Sequence, residues 1–195
     1  MSDETLQILV IDDNAIRAAV IEEGLREAGC RRIAIITDMR QLLRQIVQAD
    51  PDVIFIDLEN PNRDVLEQMF QVSRSVHRPV AMFVDQSDKA SIEAAIDAGI
   101  SAYVVNGMRK ERVKPILDMA ISRFNAFHRL RDELDRTRKA LEDRKVIEKA
   151  KGILMKSRGV SEEDAYALLR KTAMNESRRV ADVAQSLITA SKLLS

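Results

Sequence analysis

Residues 7–13 have the sequence QILVIDD, a short run of apolar residues that ends in two aspartates. Further apolar, β-branched runs follow, each trailed by a segment with helical periodicity, at residues 32–36, 52–57, 79–84 and 102–105. Short apolar runs that alternate with helices are typical of a parallel sheet covered on both faces. Residues 1–111 are therefore predicted to form an α/β domain of the flavodoxin-like class, with five strands and five helices.

Three carboxylates are predicted to lie together at one edge of this sheet. Asp12 and Asp13 follow the first strand, and Asp57 ends the third strand. Ligands of such sheets bind beyond the carboxyl ends of the strands, and Mg²⁺ prefers oxygen ligands such as carboxylates. The sequence therefore predicts that these residues can hold Mg²⁺, with Asp57 placed to accept a phosphoryl group. We predict that no cofactor is required.

This arrangement resembles the receiver domain of two-component response regulators, and Tyr103 matches the aromatic switch position of that family. Receivers carry Ser or Thr at the end of the fourth strand and Lys at the end of the fifth, where this chain has Val84 and Asn106. Valine offers no hydrogen bond to a phosphoryl group, and asparagine offers no positive charge. Phosphorylation of Asp57 is therefore not expected to drive a shape change. The alternative is that the triad is inherited scaffold in a protein-docking domain.

The net charge of zero conceals two halves of opposite sign. Residues 1–111 carry a formal charge of −7 and residues 112–195 a charge of +7, which suits the second half to an anionic partner. The N-terminus has no signal-peptide pattern, and no apolar run is long enough to span a membrane. The lone Cys30 excludes an internal disulfide, so a cytoplasmic protein is expected.

The stretch from Lys110 to about Glu142 is predicted to form one long helix, since it lacks glycine and its only proline, Pro115, lies in the first turn. Apolar residues recur at alternating spacings of three and four, which is typical of a coiled coil, with a stammer at residues 127–130. A homodimer is therefore predicted. The alternative is that the seam packs on the chain's own C-terminal helices. The seam consists of Leu117, Phe124, Phe127, Leu130, Leu134 and Leu141.

After this linker helix at residues 112–140, residues 141–195 are predicted to form a small domain of three helices. Gly159 is suited to end the first helix, and Ser161 followed by three acidic residues is suited to begin the second. The apolar stripe of the third helix comprises Val180, Val183, Ala184, Leu187 and Ile188.

Residues 144–159, RKVIEKAKGILMKSRG, contain six basic residues and one acidic residue, Glu148. On a helix the apolar residues occupy one arc and the basic residues form two stripes outside it. Gly152 lies between the stripes, and a helical glycine costs about 1 kcal/mol relative to alanine, so it suggests the close approach of another backbone. Glu148 is placed to orient the lysines or to pair with Lys151. An ordinary solvated face is the alternative.

The stretch RKVIEKAKGILMKSRGVSEEDAYALLRKTAM, followed by VADVAQSLI, resembles the ANTAR domain, an RNA-binding antitermination module. Together with SAYVVNG and RVKPILDMAISRF, it makes the whole chain similar to the NasT-like nitrate/nitrite antiterminators of the AmiR/NasT family. The resemblance implies binding to two hairpins in a leader mRNA, which prevents a terminator from forming. It also implies control by a nitrate-sensing protein that holds the regulator inactive.

The basic stripes are predicted to bind hairpin phosphates, and Tyr166 with Arg170, one turn apart, to stack on unpaired bases. A core position is the alternative for Tyr166, and Met155 and Met174 are expected to pack. The predicted RNA-binding residues are Arg144, Lys145, Lys149, Lys151, Gly152, Lys156, Arg158, Tyr166 and Arg170.

Two other functions compete with this prediction. One is a phosphorylation-controlled, DNA-binding response regulator, although the three acids that begin the second helix suit a major groove poorly. The other is an enzyme. His77 and His128 are far apart in the pattern, and Cys30 has no evident base, so no catalytic group is predicted.

Overall fold

The structure is a computed structural model that describes residues 3–59, 61–107 and 109–194. The chain divides into two compact units, Met1–His128 and Arg129–Ser195. The first unit contains five strands, β1 (Gln7–Ile11), β2 (Arg32–Ile36), β3 (Val53–Leu58), β4 (Val80–Val84) and β5 (Ala102–Val105). Between them lie four helices, α1 (Ala15–Glu27), α2 (Leu42–Ala49), α3 (Arg63–Ser75) and α4 (Lys89–Asp97).

The five strands form one parallel sheet in the order β2-β1-β3-β4-β5. This order, in which the chain reverses direction across the sheet after β2, is that of the flavodoxin-like class. The predicted fold class is therefore confirmed. The predicted apolar runs coincide with β1, β2 and β5 and agree to within one residue with β3 and β4.

Successive residues of the central strands point to opposite faces of the sheet and pack into two hydrophobic layers. Leu9 and Ile11 of β1 face the layer covered by α2, α3 and α4. Ile8 and Val10 face the layer covered by α1 and by the first turns of the next helix, α5 (Val113–Arg158). Both faces of the central strands β1, β3 and β4 are thus closed to water, and polar side chains gather at their carboxyl ends.

Helix α5 is 46 residues long and without interruption, and a short 3₁₀ turn at Lys110–Arg112 precedes it. Its first turns pack closely on α1, since a Cβ atom added to Gly24 would lie 2.6 Å from a methyl carbon of Val113. Leu117 is fully buried in the core of the first unit and therefore cannot contribute to a dimer seam, contrary to the sequence prediction. The reason is that this part of α5 covers the sheet.

The other seam residues of α5 are accessible to different degrees. Phe124 is half-buried, with its ring centroid 4.1 Å from that of His128. The ring centroid of His128 lies 6.3 Å from that of His77. The expectation that the two histidines are far apart is therefore wrong. The four remaining seam residues, Phe127, Leu130, Leu134 and Leu141, are all exposed.

The second unit consists of the C-terminal part of α5 with α6 (Glu162–Asn175) and α7 (Val180–Leu194). The Ser161 side chain accepts a hydrogen bond from the backbone N–H of Asp164, which confirms the predicted helix start. One small core joins the three helices, and it includes Ala150, Leu154, Ala165, Leu169, Ala184 and Ile188. In the described part of the chain, no helix is long and apolar enough to cross a membrane.

Candidate functional site

The carboxyl ends of β1 and β3 bring the predicted acidic triad together. The side chains of Asp12 and Asp57 are buried, whereas that of Asp13 is 67% exposed. Asp12 accepts a hydrogen bond of 2.8 Å from the backbone N–H of Asn14, just before α1 begins. Two buried carboxylates in neighbouring strands repel each other unless a cation lies between them.

The cation that lies between them is the guanidinium group of Arg17. It donates to both oxygens of Asp12, from Nη2 at 2.8 Å and from Nε at 3.3 Å. Nη2 also donates to Asp13 at 2.9 Å, and Nη1 donates to Glu59. Nε is 4.0 Å from the nearer oxygen of Asp57. We define the acidic pocket as Asp12, Asp13, Asp57 and Glu59. Arg17 donates hydrogen bonds to three of these residues and lies at ion-pair distance from Asp57.

The first turn of α1 positions Arg17. Asn14 caps this helix and accepts hydrogen bonds from the backbone N–H groups of Ile16 and Arg17. The sequence predictions missed Arg17. A signal was present, because Arg17 lies in the first turn of the helix that directly follows the aspartate pair.

The carboxylates of this pocket point at a guanidinium and not at a shared metal position. Among the described residues, no group of three or more His, Cys, Asp or Glu side chains is arranged to hold a metal ion. Mg²⁺ requires near-octahedral oxygen ligands at close range, and Asp12 already gives both of its oxygens to Arg17. Mg²⁺ at Asp12, Asp13 and Asp57 would therefore require Arg17 to leave.

Burial raises the pKa of Asp57 to about 6, and the negative charge of Asp12 acts in the same direction. The charge of Arg17 lowers this pKa but does not cancel the effect of burial. Conversely, the hydrogen bond with Asp12 raises the pKa of Arg17, so this guanidinium stays charged.

The two departures from the receiver pattern lie where the sequence placed them. Val84 is the last residue of β4 and is fully buried, and Asn106 directly follows β5. Tyr103 is half-buried, and its hydroxyl lies 3.0 Å from that of Ser87. The pocket therefore has neither a hydroxyl at position 84 nor an ammonium at position 106.

The second unit presents the basic side chains of α5 to solvent. We define the basic face by its five exposed members, Arg144, Lys145, Lys149, Lys156 and Arg158. The apolar arc opposite them packs as predicted, with Ala150 and Leu154 buried and Val146, Ile147 and Ile153 partly buried. Each member of the basic face is therefore open to an anionic partner.

Lys151 differs from the other basic residues because its side chain is only 10% exposed. Its ammonium group lies 2.7 Å from Glu148 and 2.6 Å from Glu162, and these carboxylates raise the pKa of Lys151. The pairing of Glu148 with Lys151, one of the two roles considered for this acid, is present. Lys151 therefore ties α5 to the start of α6, and its charge is already neutralised.

Gly152 is half-buried, and a Cβ atom added there would meet no other atom within 4 Å. The described part of this chain thus supplies no backbone whose close approach would require a glycine in α5. The space beside Gly152 is open.

A shallow groove of about 330 Å³ runs along α6 and combines an aromatic ring with positive charge. Tyr166 is 44% exposed, so it is not a core residue, and Arg170 follows one turn later. Met155 and Met174 are also exposed, so the expectation that they pack is wrong. The residues lining the groove are Glu163, Tyr166, Ala167, Arg170, Lys171, Met174 and Asn175.

Comparison with protein families divides the chain in the same way. Residues 8–118 match the family described as the response regulator receiver domain. Residues 135–188 match the ANTAR domain. The first match covers the sheet and the acidic pocket, and the second covers the basic face and the groove of α6.

Two proteins and one solved structure are similar to this chain. The transcriptional regulatory protein PdtaR of Mycobacterium tuberculosis is 28% identical over 180 residues, which cover 91% of this chain and 88% of that protein. A nitrate regulatory protein of Klebsiella oxytoca is 38% identical over 80 residues, which cover 41% of this chain and 20% of that protein. A response regulator from Thermotoga maritima covers 60% of this chain and 98% of its own with a TM-score of 0.52 and 18% identity, and so shares the fold of the first unit.

We expect Asp57→Asn to stabilise the protein at neutral pH by about 2 kcal/mol, because it removes a buried charge whose pKa is raised. The folded state holds the Asp57 proton up to about pH 6 and the unfolded chain only to about 3.8. The Asp57 contribution to the free energy of unfolding therefore falls as the pH rises between these values. Urea unfolding in EDTA across this pH range measures the effect.

Asp97→Asn, at an exposed aspartate at the end of α4, serves as the control and should change stability little at any pH. The account of Asp57 is wrong if its variant is no more stable than the wild type at neutral pH. It is also wrong if the gain persists in acid.

Proposed function

Because the chain belongs to the response regulator receiver domain family and also carries an ANTAR domain, we propose that it is a non-enzymatic RNA-binding antiterminator. It binds two hairpins in a leader mRNA in the cytoplasm and so prevents a terminator from forming. The observation that carries this proposal is the basic face of the second unit, where five lysine and arginine side chains are exposed on one helix.

Phosphate binding follows from the charge of this unit. Residues 129–195 contain 16 lysines and arginines and 11 acidic residues, a formal charge of +5. Lys151 is excluded from the basic face because two carboxylates neutralise it. Lysine and arginine side chains that contact phosphates release condensed counterions, so binding weakens steeply as salt increases. This term supplies affinity but little preference for one nucleic acid over another.

Preference for RNA loops requires contacts to unpaired bases. The groove of α6 offers the phenol ring of Tyr166 and the guanidinium of Arg170 at helical spacing, both exposed. Unpaired bases of hairpin loops stack on aromatic rings and on arginine planes, whereas paired bases of a duplex do not offer their faces. The groove thus suits a single-stranded loop.

A homodimer would match two hairpins. Phe127, Leu130, Leu134 and Leu141 are exposed along α5 at coiled-coil spacing, with the single stammer after Phe127. A second copy would cover these side chains and would bring two RNA-binding units to one transcript. Binding at the second hairpin is then intramolecular, which raises the overall affinity without any new contact.

The inducing signal is proposed from similarity to the nitrate regulatory protein of Klebsiella oxytoca. Nitrate or nitrite, sensed by a separate inhibitory protein, would control a NasT-like regulator of nitrate assimilation. The absence of a hydroxyl at Val84 and of an ammonium at Asn106 favours such a partner over phosphorylation.

A DNA-binding response regulator is the second candidate. The start of α6 argues against it, since Glu162, Glu163 and Asp164 form its first turn and would face the phosphates of a major groove. Glu162 is moreover paired with Lys151, so reorienting this turn would break an ion pair.

We expect the combined variant Lys149→Ala, Lys156→Ala and Arg158→Ala to weaken binding of a two-hairpin leader RNA by about 10- to 100-fold and to lower its salt slope by about two to three. The matched control removes three exposed charges from the first unit, with Arg31→Ala, Arg40→Ala and Lys89→Ala. Titration of labelled RNA over a salt series measures both quantities. An equal loss of RNA affinity in the control variant would show that binding depends on total charge and not on the basic face.

The substitution Gly152→Ala is expected to change the free energy of unfolding and the RNA affinity in opposite directions. With open space at this position, alanine should raise the free energy of unfolding by about 1 kcal/mol through its better helix propensity. The same methyl group should weaken RNA binding about tenfold if the RNA backbone approaches the helix here. Urea unfolding and RNA titration of the same preparation test the two effects, and unchanged RNA affinity would remove Gly152 from the interface.

A further inference from the structure

The acidic pocket of the first unit is a built feature that RNA binding does not use. The geometry points to Arg17 as a built-in counter-cation that takes the place of a divalent metal ion and keeps the receiver pocket closed to Mg²⁺ and to phosphorylation. This inference concerns the first unit alone and stands whether or not the second unit binds RNA.

The contacts of Arg17 occupy the oxygens that a metal ion would need. Its planar fork engages both oxygens of Asp12 and one of Asp13, at distances from 2.8 to 3.3 Å. A guanidinium binds carboxylates through N–H donors of fixed direction, so these contacts are oriented hydrogen bonds and not only electrostatic attraction. A metal ion and this guanidinium therefore cannot share the pocket.

The charges of the pocket lead to the same conclusion. Asp12 and Asp57 are buried and acidic, and Arg17 supplies the positive charge that lets them lie in adjacent strands. A divalent ion placed beside a retained Arg17 would meet strong repulsion at short range in a poorly hydrated site. The pocket holds either the guanidinium or the metal.

The surrounding backbone favours the guanidinium. Arg17 lies in the first turn of α1, which Asn14 caps, so its Cα position is fixed by the helix start. Its contact with Glu59 reaches the segment that follows β3, two residues after Asp57. Arg17 thus joins the starts of two loops that flank the carboxyl edge of the sheet and holds them in one arrangement.

The departures at Val84 and Asn106 are consistent with a permanently filled pocket. A hydroxyl and an ammonium at these positions serve to bind a phosphoryl group, and neither is needed where no phosphoryl group arrives. Their replacement by a buried valine and an asparagine leaves Arg17 as the residue that supplies positive charge to the acidic pocket.

The test compares the full-length wild type with Arg17→Met, with Arg26→Met as the matched control on the same helix, where Arg26 pairs with Glu22 outside the pocket. Mg²⁺ binding is measured by calorimetry. Phosphorylation is measured by intact mass after treatment with acetyl phosphate, which would transfer its phosphoryl group to the Asp57 carboxylate and release acetate. We expect Arg17→Met to bind Mg²⁺ at least about tenfold more tightly than the wild type and Arg26→Met. Only Arg17→Met should gain mass, and Asp57→Asn added to it should abolish the gain.

Arg17→Lys keeps a positive charge in the pocket but loses the planar fork, so its Mg²⁺ affinity is expected to lie between those of the wild type and Arg17→Met. If Arg17→Met fails to fold, measurements of Mg²⁺ binding and phosphorylation on the wild type alone still test the inference. Tight Mg²⁺ binding or phosphorylation of Asp57 in the wild type would overturn the inference, and so would equal Mg²⁺ affinities in the wild type and a folded Arg17→Met.

Discussion

Helix α5 is the element on which both halves of the molecule depend. Its first turns complete the core under the sheet, where Val113 fits against Gly24 of α1 without room for a side chain. Its last turns place Ala150 and Leu154 in the core shared with α6 and α7. The same final turns carry the basic face on their outer side. One uninterrupted helix therefore supports two separate cores and presents the surface proposed to bind RNA.

The sequence was sufficient wherever a local pattern determines the structure. The five apolar runs became the five strands, and Ser161 began α6, because continuous burial and helix capping are properties of neighbouring residues. It was insufficient where distant groups meet. Arg17 gains its role only when β1 and β3 bring Asp12 and Asp57 together, and Lys151 is withdrawn from the basic face by a partner on α6. Leu117 fits the coiled-coil spacing equally well, yet the sheet covers it.

The charged side chains of the two units differ in whether they have partners within the chain. In the first unit, the charge of the buried carboxylates is offset in part from within by a guanidinium, whose donors occupy both oxygens of Asp12. In the second, five cationic side chains stay exposed, and an external polyanion can neutralise them. The receiver pocket also has neither a hydroxyl at Val84 nor an ammonium at Asn106.

The most direct test of the proposed function compares the full-length protein on a two-hairpin leader RNA, on the same RNA with one hairpin deleted, and on duplex DNA of equal length. Affinities are measured over a salt series, because phosphate contacts alone give the same steep salt dependence with any duplex. The account predicts tightest binding to the two-hairpin RNA, a clear loss when one hairpin is removed, and weaker binding to DNA at every salt concentration. Equal, purely salt-driven binding to all three would contradict it.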